Sequence, residues 1–253
     1  MSVWIIGGTG DSANIVDAVS LVTKYVVTVT TPEARQLYDV ASVIVAAMNL
    51  DKMVQFCHVH KIRAIVDASH PFATEVSLNA TAVARCLNLP YLRYERLEVE
   101  ANAVDICTQL DSFSTLLQGN YLRNQRVLLT VGCKVLPLFQ SWQSYSTLFA
   151  RILPKLNSLE VALNSGFSSD RIIALRPPVT EELEKALLQN WRISLIVTKA
   201  SGKPGGQDIK QKVAEHLGIP LITIARPKIT YPQKTSDIEQ VINFCLEYGS
   251  SCS

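Results

Sequence analysis

The chain opens SVWIIGGTGDS, Ser2 to Ser12. Four apolar residues, Val3 to Ile6, run straight into Gly7 and Gly8. A helical pattern follows, with Ile15, Ala18, Val19 and Val22 on one side. A short continuous apolar run reads as a strand buried on both faces, and the glycines turn the chain into the helix. This turn also suits a phosphate. Glycines let the backbone approach it, and the first N–H groups and the dipole of the helix favour its charge. The order G-G-T-G-D-S is not the full G-x-G-x-x-G, and the same corner is also built without a ligand. Both readings stay open on these residues alone. If a nucleotide binds, its ligands are Gly7, Gly8, Thr9, Gly10, Asp11 and Ser12.

The strand–helix alternation continues almost to the end. Apolar runs recur at Val26–Thr30, Ile62–Asp67, Arg126–Val131, Leu148–Ile152, Arg171–Leu175, Ile193–Thr198 and Leu221–Ala225. Between them lie amphipathic helices. Val76, Ala80, Val83 and Leu87 form one apolar face, and Ile238, Val241, Ile242, Cys245 and Leu246 form another. Such alternation predicts an α/β fold with parallel sheets. It weakens across LEVEANAVDICTQLD, so a domain break is expected near Glu98–Ala101. The expected domains are residues 1–98 and 99–253, each α/β, with a ligand cleft between them.

Composition removes several classes. With 253 residues and a net charge of +2, no strong field draws the chain to nucleic acid. The apolar runs are strand-sized, too short for a membrane span. The N-terminus does not read as a signal peptide, so a cytoplasmic protein is expected. The six cysteines form no C-x-x-C pair, and His58 and His60 have no carboxylate nearby. Reduced, inert thiols and no metal site are expected. Oligomeric state is not readable.

The second strand ends in VVTVTTPEARQLY. Thr30, Thr31 and Arg35 suit a ribose 2′-phosphate better than a free hydroxyl, which favours NADP over NAD, although Thr31 can equally cap a helix. In IVDASHPFA a strand ends at Asp67, and Ser69 and His70 follow. Carboxyl ends of parallel strands line ligand crevices, so Ser69 is assigned to the cofactor and His70 to orienting a ligand or donating a proton; equally open on this stretch alone is that Asp67 caps the turn and His70 packs against Pro71. In PYLRYERLE, Arg93 and Arg96 lie among tyrosines, a mixture suited to a flat polyanion or to paired charges on a surface strand. The second half adds Lys134 in LLTVGCK and Arg151 in FARILP. Its densest run is VTKASGKPGGQDIK, with Lys199, Ser201, Gly202, Lys203, Gly205, Gly206 and Lys210. The spacing is not that of a Walker loop, and an anion cradle is the expected role.

In this order, IIGGTGDS, VDASHPFA, PYLRYER, LLTVGCK, FARILP, VTKASGKPGG and IPLITIARP resemble the precorrin-6A reductase family of cobalamin biosynthesis, from about Val3 to Pro227. The resemblance implies two Rossmann-like domains with the active site between them. It implies NADPH as cofactor and reduction of a ring double bond in precorrin-6A or its cobalt complex. Arg93, Arg96, Lys134, Arg151, Lys199, Lys203 and Lys210 then become candidates to neutralise the macrocycle's acidic arms. The chain departs from the family pattern in TTPEARQLY, and in AAMNLDKM, where Leu50 and Asp51 remain without the usual Gly-Arg element. The competing expectations are another two-domain NADPH-dependent reductase of an acidic small molecule, or a non-catalytic NADP-binding module.

Overall fold

A computed structural model describes residues 2–39, 42–99 and 106–249. Glu100 and Ala101 of the expected domain break, and Cys252, lie outside these. The chain divides into two compact units. The first is residues 1–97 together with 228–253, and the second is residues 98–227.

The first unit begins with β1 (Ser2–Ile6), α1 (Gly10–Val19), β2 (Tyr25–Val29), α2 (Pro32–Arg35), β3 (Val43–Val45), α3 (Leu50–Val59), β4 (Ile62–Asp67), α4 (Thr74–Cys86) and β5 (Tyr91–Tyr94). The second holds β6 (Cys107–Leu110), α5 (Phe113–Gln118), β7 (Arg126–Leu129), a 3-10 run from Cys133 to Ser144, β8 (Thr147–Ile152), α6 (Leu156–Asn164), β9 (Ile172–Ala174), α7 (Glu181–Asn190), β10 (Leu195–Lys199), α8 (Gln207–Leu217) and β11 (Leu221–Ile224). The chain then returns to the first unit as β12 (Lys234–Thr235) and α9 (Ile238–Gly249).

The sheets run β12-β5-β4-β1-β2-β3 and β6-β11-β10-β7-β8-β9, and every strand pair is parallel. Strand β1 shows why the fold is doubly wound. Val3 and Ile5 pack with Ile15, Val16 and Val19 of α1 and with Val241, Phe244 and Cys245 of α9. Trp4 and Ile6 point the other way, onto Met53 and Phe56 of α3 and Ala80 and Val83 of α4. Side chains alternate across a strand, so four apolar residues in a row supply both helical layers. In the second unit Leu128, Phe149 and Ile196 pack against Leu188 of α7 and Val213 and Ala214 of α8.

One expectation needs correcting. Residues 228–253 do not complete the second domain. Lys234 pairs with Arg93 of β5, and α9 closes the apolar face that α1 leaves open on β1. The amphipathic pattern of α9 shows that the helix buries a face but not which sheet it covers.

Candidate active site

In the first unit the carboxyl ends of the strands gather four loops: Gly7–Thr9 after β1, Thr30–Thr31 after β2, Ala68–Ala73 after β4, and Glu95–Arg96 after β5. The β1 corner is closed from below. A Cβ on Gly7 would lie 2.3 Å from the Tyr38 hydroxyl, so only glycine fits. That hydroxyl accepts the Gly8 N–H at 2.7 Å and meets Ser12 Oγ at 2.6 Å. Burial pushes the Tyr38 phenol up, so it stays protonated. Thr9 and Ser12 cap each other: Ser12 N–H donates to Thr9 Oγ1 at 3.1 Å, and Thr9 N–H to Ser12 Oγ at 3.0 Å. Thr9 Oγ1 also donates to the Ala68 carbonyl at 3.2 Å, which ties the β1 and β4 loops together.

Ser12 is therefore a buried cap rather than a cofactor ligand, and the Gly8 amide already has acceptors. The upper side of the corner is open. A Cβ at Gly8 or Gly10 would meet nothing within 4 Å, and Gly8 has φ +110°. The amides of Gly10 and Asp11 open helix α1 and have no acceptor among the described residues. Asp11 Oδ2 pairs with Arg96 Nε at 2.8 Å, so a guanidinium stands at this helix end. Arg96, expected on the substrate side, belongs to the glycine corner. Open amides, absent side chains and a cation fit a dinucleotide's diphosphate. Thr31 caps α2 by accepting the Ala34 N–H at 3.3 Å, while Thr30 and Arg35 are exposed beyond β2.

The β4 loop rests on a buried ion network. Asp67 Oδ1 accepts from Arg93 Nη1 at 2.8 Å and from Ser69 N–H at 3.0 Å, and Asp67 Oδ2 accepts the Tyr91 hydroxyl at 2.8 Å. Arg93 also donates to Ser69 Oγ at 3.0 Å, pairs with Glu95 at 3.5 Å and lies 5.5 Å from the Tyr231 ring centroid. Burial opposes its charge, but Asp67, Tyr231 and Glu95 hold the guanidinium protonated. Asp67 and Arg93 expose no surface. Arg93 is thus not a substrate ligand, and Ser69 is locked into the same network instead of facing a cofactor. His70 is half-buried, and its Nδ1 accepts the Phe72 N–H at 3.2 Å. The ring proton then sits on Nε2 of a neutral imidazole, which suits hydrogen bonding to a ligand rather than giving up a proton.

In the second unit the loop after β10 is stapled from inside. Lys210 Nζ donates to the Gly205 and Gly206 carbonyls at 2.7 and 2.9 Å, and Gln207 Oε1 accepts the Gly202 N–H at 3.0 Å. Ser201 fills the space where a Gly205 Cβ would stand, 2.0 Å from its Oγ. Gly202 and Gly206 have φ +73° and +66°. Lys210 is only 4% exposed, and Arg151 is paired with the buried Glu184. Burial pushes Lys210 down to about 8; Arg151 adds to this, and Glu184 and Asp208 oppose it. Ser201, Lys210 and Arg151 are therefore framework and not carboxylate catchers. Lys134 and Lys203 are exposed, and Lys199 lies half-buried 5.8 Å from the Phe113 ring centroid. Sequence reasoning missed Tyr38, Glu184 and Arg226, whose Nε donates to the Ala200 carbonyl at 2.9 Å.

Residues 2–246 match the family model described as "Precorrin-6x reductase CbiJ/CobK". The chain belongs to this family. This reductase is 46% identical over 253 residues to a cobalt-precorrin-6A reductase of Synechocystis sp., covering 98% of this chain and 97% of the relative. It is 36% identical to one of Priestia megaterium, covering 79% of each chain. The solved structure of a CobK precorrin-6A reductase superposes with a TM-score of 0.82 at 20% identity over 99% of this chain and 98% of that one, which shows a shared fold. The reductase is an oxidoreductase with two parallel-sheet α/β units. Among the described residues no helix is long and apolar enough to cross a membrane, and no three His, Cys, Asp or Glu side chains could hold a metal ion.

Proposed function

We propose that this reductase acts in the cytosol, uses NADPH, and reduces one ring double bond of precorrin-6A or cobalt-precorrin-6A. The observation that carries the cofactor assignment is the corner above β1. Two unpaired helix-start amides, open space at Gly8 and Gly10, and Arg96 converge there. When bound, NADPH supplies a hydride. Gly10 and Asp11 amides and Arg96 hold the diphosphate. Thr30 stands at the end of β2, where a 2′-phosphate is read, and Arg35 closes the short helix α2 that follows. His70 offers Nε2–H to the ligand. Lys134 and Lys203, with the Gly202–Gly206 loop, take the acidic arms of the macrocycle. Any cobalt arrives within the substrate. The buried Cys57 and Cys245 thiols, pushed up to about 11 and about 12 by burial, stay protonated and inert.

The test is NADPH oxidation by purified protein, followed at the cofactor's absorbance, with each tetrapyrrole in turn. Oxidation that requires one of them, with loss of one unit of conjugation in its visible spectrum, supports the reading. Tight NADP binding without turnover on either would leave a binding module.

A further inference from the structure

Reduction of a carbon–carbon double bond needs a proton as well as a hydride. We propose that Lys199 donates that proton to the carbon beside the one that receives the hydride. This rests on the reading above, in which the substrate lies against the carboxyl edge of the second sheet.

The first argument is position. Lys199 is the last residue of β10, a strand with β7 on one side and β11 on the other. Its side chain leaves the sheet where parallel strands present groups to ligands. The second argument is exclusion. His70 has its Nδ1 committed to the Phe72 amide and, being neutral, could give up only the Nε2 proton, leaving an imidazolate. Arg151 and Arg226 are guanidinium groups, which do not lose a proton near neutral pH. Lys210 is sealed against the Gly205 and Gly206 carbonyls. Lys134 and Lys203 are exposed, which suits arm binding.

The surroundings of Lys199 are those of an acid. The Phe113 ring of α5 covers it on one side. Cys133 and Lys134 act on it from the start of the 3-10 run after β7, and Arg226 stands on the β11 side, held by the Ala200 carbonyl and by Glu98 at 3.5 Å. Burial, aided by the Lys134 charge and opposed by Cys133, pushes the Lys199 ammonium down to about 8. An ammonium that releases its proton this readily, yet is mostly charged at neutral pH, matches a general acid.

The step balances. The hydride pair makes one new C–H bond. The electrons of the π bond take the Lys199 proton and make the second. Lys199 is left as a free amine and recovers its proton from water.

The tests are the variants Lys199→Arg and Lys199→Met and a titration of the protein without ligands. Lys199→Arg keeps the charge and cannot act as an acid. It should bind NADP and the tetrapyrrole with unchanged affinity yet lose roughly 100-fold or more in kcat. The wild-type decline of kcat above about pH 8 should vanish, and in D2O the new carbon–deuterium centre should form as a mixture of epimers. Lysine ε-13C NMR of the wild type should show two resonances titrating near pH 8, those of Lys199 and Lys210, and one of them should be missing in Lys199→Arg. Should Lys199→Met fail to fold, Lys199→Arg still decides. Retained kcat, an unchanged alkaline limb and a single epimer in Lys199→Arg would overturn the proposal, as would an ordinary lysine titration. A wild type that oxidises no NADPH with either tetrapyrrole overturns the functional reading instead.

Discussion

Asp67 and Arg93 form an ion pair at 2.8 Å in which neither side chain exposes any surface. Asp67 closes β4 and Arg93 lies on β5, so the pair fastens the strands beneath the loop that carries His70. Removing one partner leaves the other charged, buried and short of a counter-ion, which costs about 3–5 kcal/mol. Arg93→Met should therefore lower the unfolding free energy by that order in urea denaturation. Arg93→Met with Asp67→Leu should cost clearly less than the two single changes added together. Additive losses would mean that the pair is not coupled.

Gly7 and Tyr38 make a second linked pair. A methyl at position 7 collides with a phenol that belongs to the apolar core and fills the base of the corner. Gly7→Ala should destabilise by about 1–3 kcal/mol, as overpacking does. Tyr38→Phe removes the oxygen in the way and loses its hydrogen bonds with the Gly8 amide and Ser12 Oγ, for about 1–3 kcal/mol. In the double variant the penalties should not add, because the colliding atom is gone. Thermal denaturation of the four proteins reads this.

These two pairs show how far the residues speak for themselves. VWIIGG told of a strand buried on both faces and a tight turn because both properties are local. Tyr38 follows α2 in an unpatterned stretch, and nothing in QLY shows that its hydroxyl reaches back to Gly8, 30 residues away. Strands β3, β6 and β12 went unread for another reason. Each is an edge strand, of three, four and two residues. Edges have a weaker apolar pattern, as CTQL shows. Strand β5 was obscured by Arg93, a charge whose counter-ion sits on the neighbouring strand. Several basic residues near strand ends became candidate ligand groups, with paired charges as the alternative for Arg93 and Arg96, since spacing does not distinguish a cation facing solvent from one neutralised inside. Arg93, Arg151 and Lys210 proved to be of the second kind.

Lys210 gives a pH dependence of stability with a definite sign. Its folded-state value of about 8 lies below the ordinary lysine value of 10.5. Between these values the unfolded chain binds more protons than the folded one, so stability rises with pH. Below about 8 the buried ammonium carries its full desolvation penalty. Raising the pH toward 10.5 should relieve it by about 3 kcal/mol. Other groups titrate in this range, so the comparison is with Lys210→Met. The stability of wild type minus that of the variant should grow over this interval in paired denaturation curves. A constant difference would place the Lys210 proton outside the folding equilibrium.

Asp11 and Arg96 set the affinity of the glycine corner. Arg96 brings a positive charge to the helix end, but Asp11 already neutralises part of it at 2.8 Å. A diphosphate must share the guanidinium with that carboxylate or draw it away. Arg96→Gln removes a charge-assisted hydrogen bond, worth about 1.5–3 kcal/mol. The NADP dissociation constant by calorimetry should then rise roughly 10- to 150-fold, since each 1.4 kcal/mol is about tenfold. Asp11→Asn removes the competing anion and leaves the amide of residue 11 in place. It should hold NADP at least as tightly as wild type, and the affinity of Arg96→Gln should fall less steeply with added salt than that of either. If Asp11→Asn lost affinity as severely as Arg96→Gln, the carboxylate would be needed to aim the guanidinium, and the pair would act as one unit rather than as ligand and competitor.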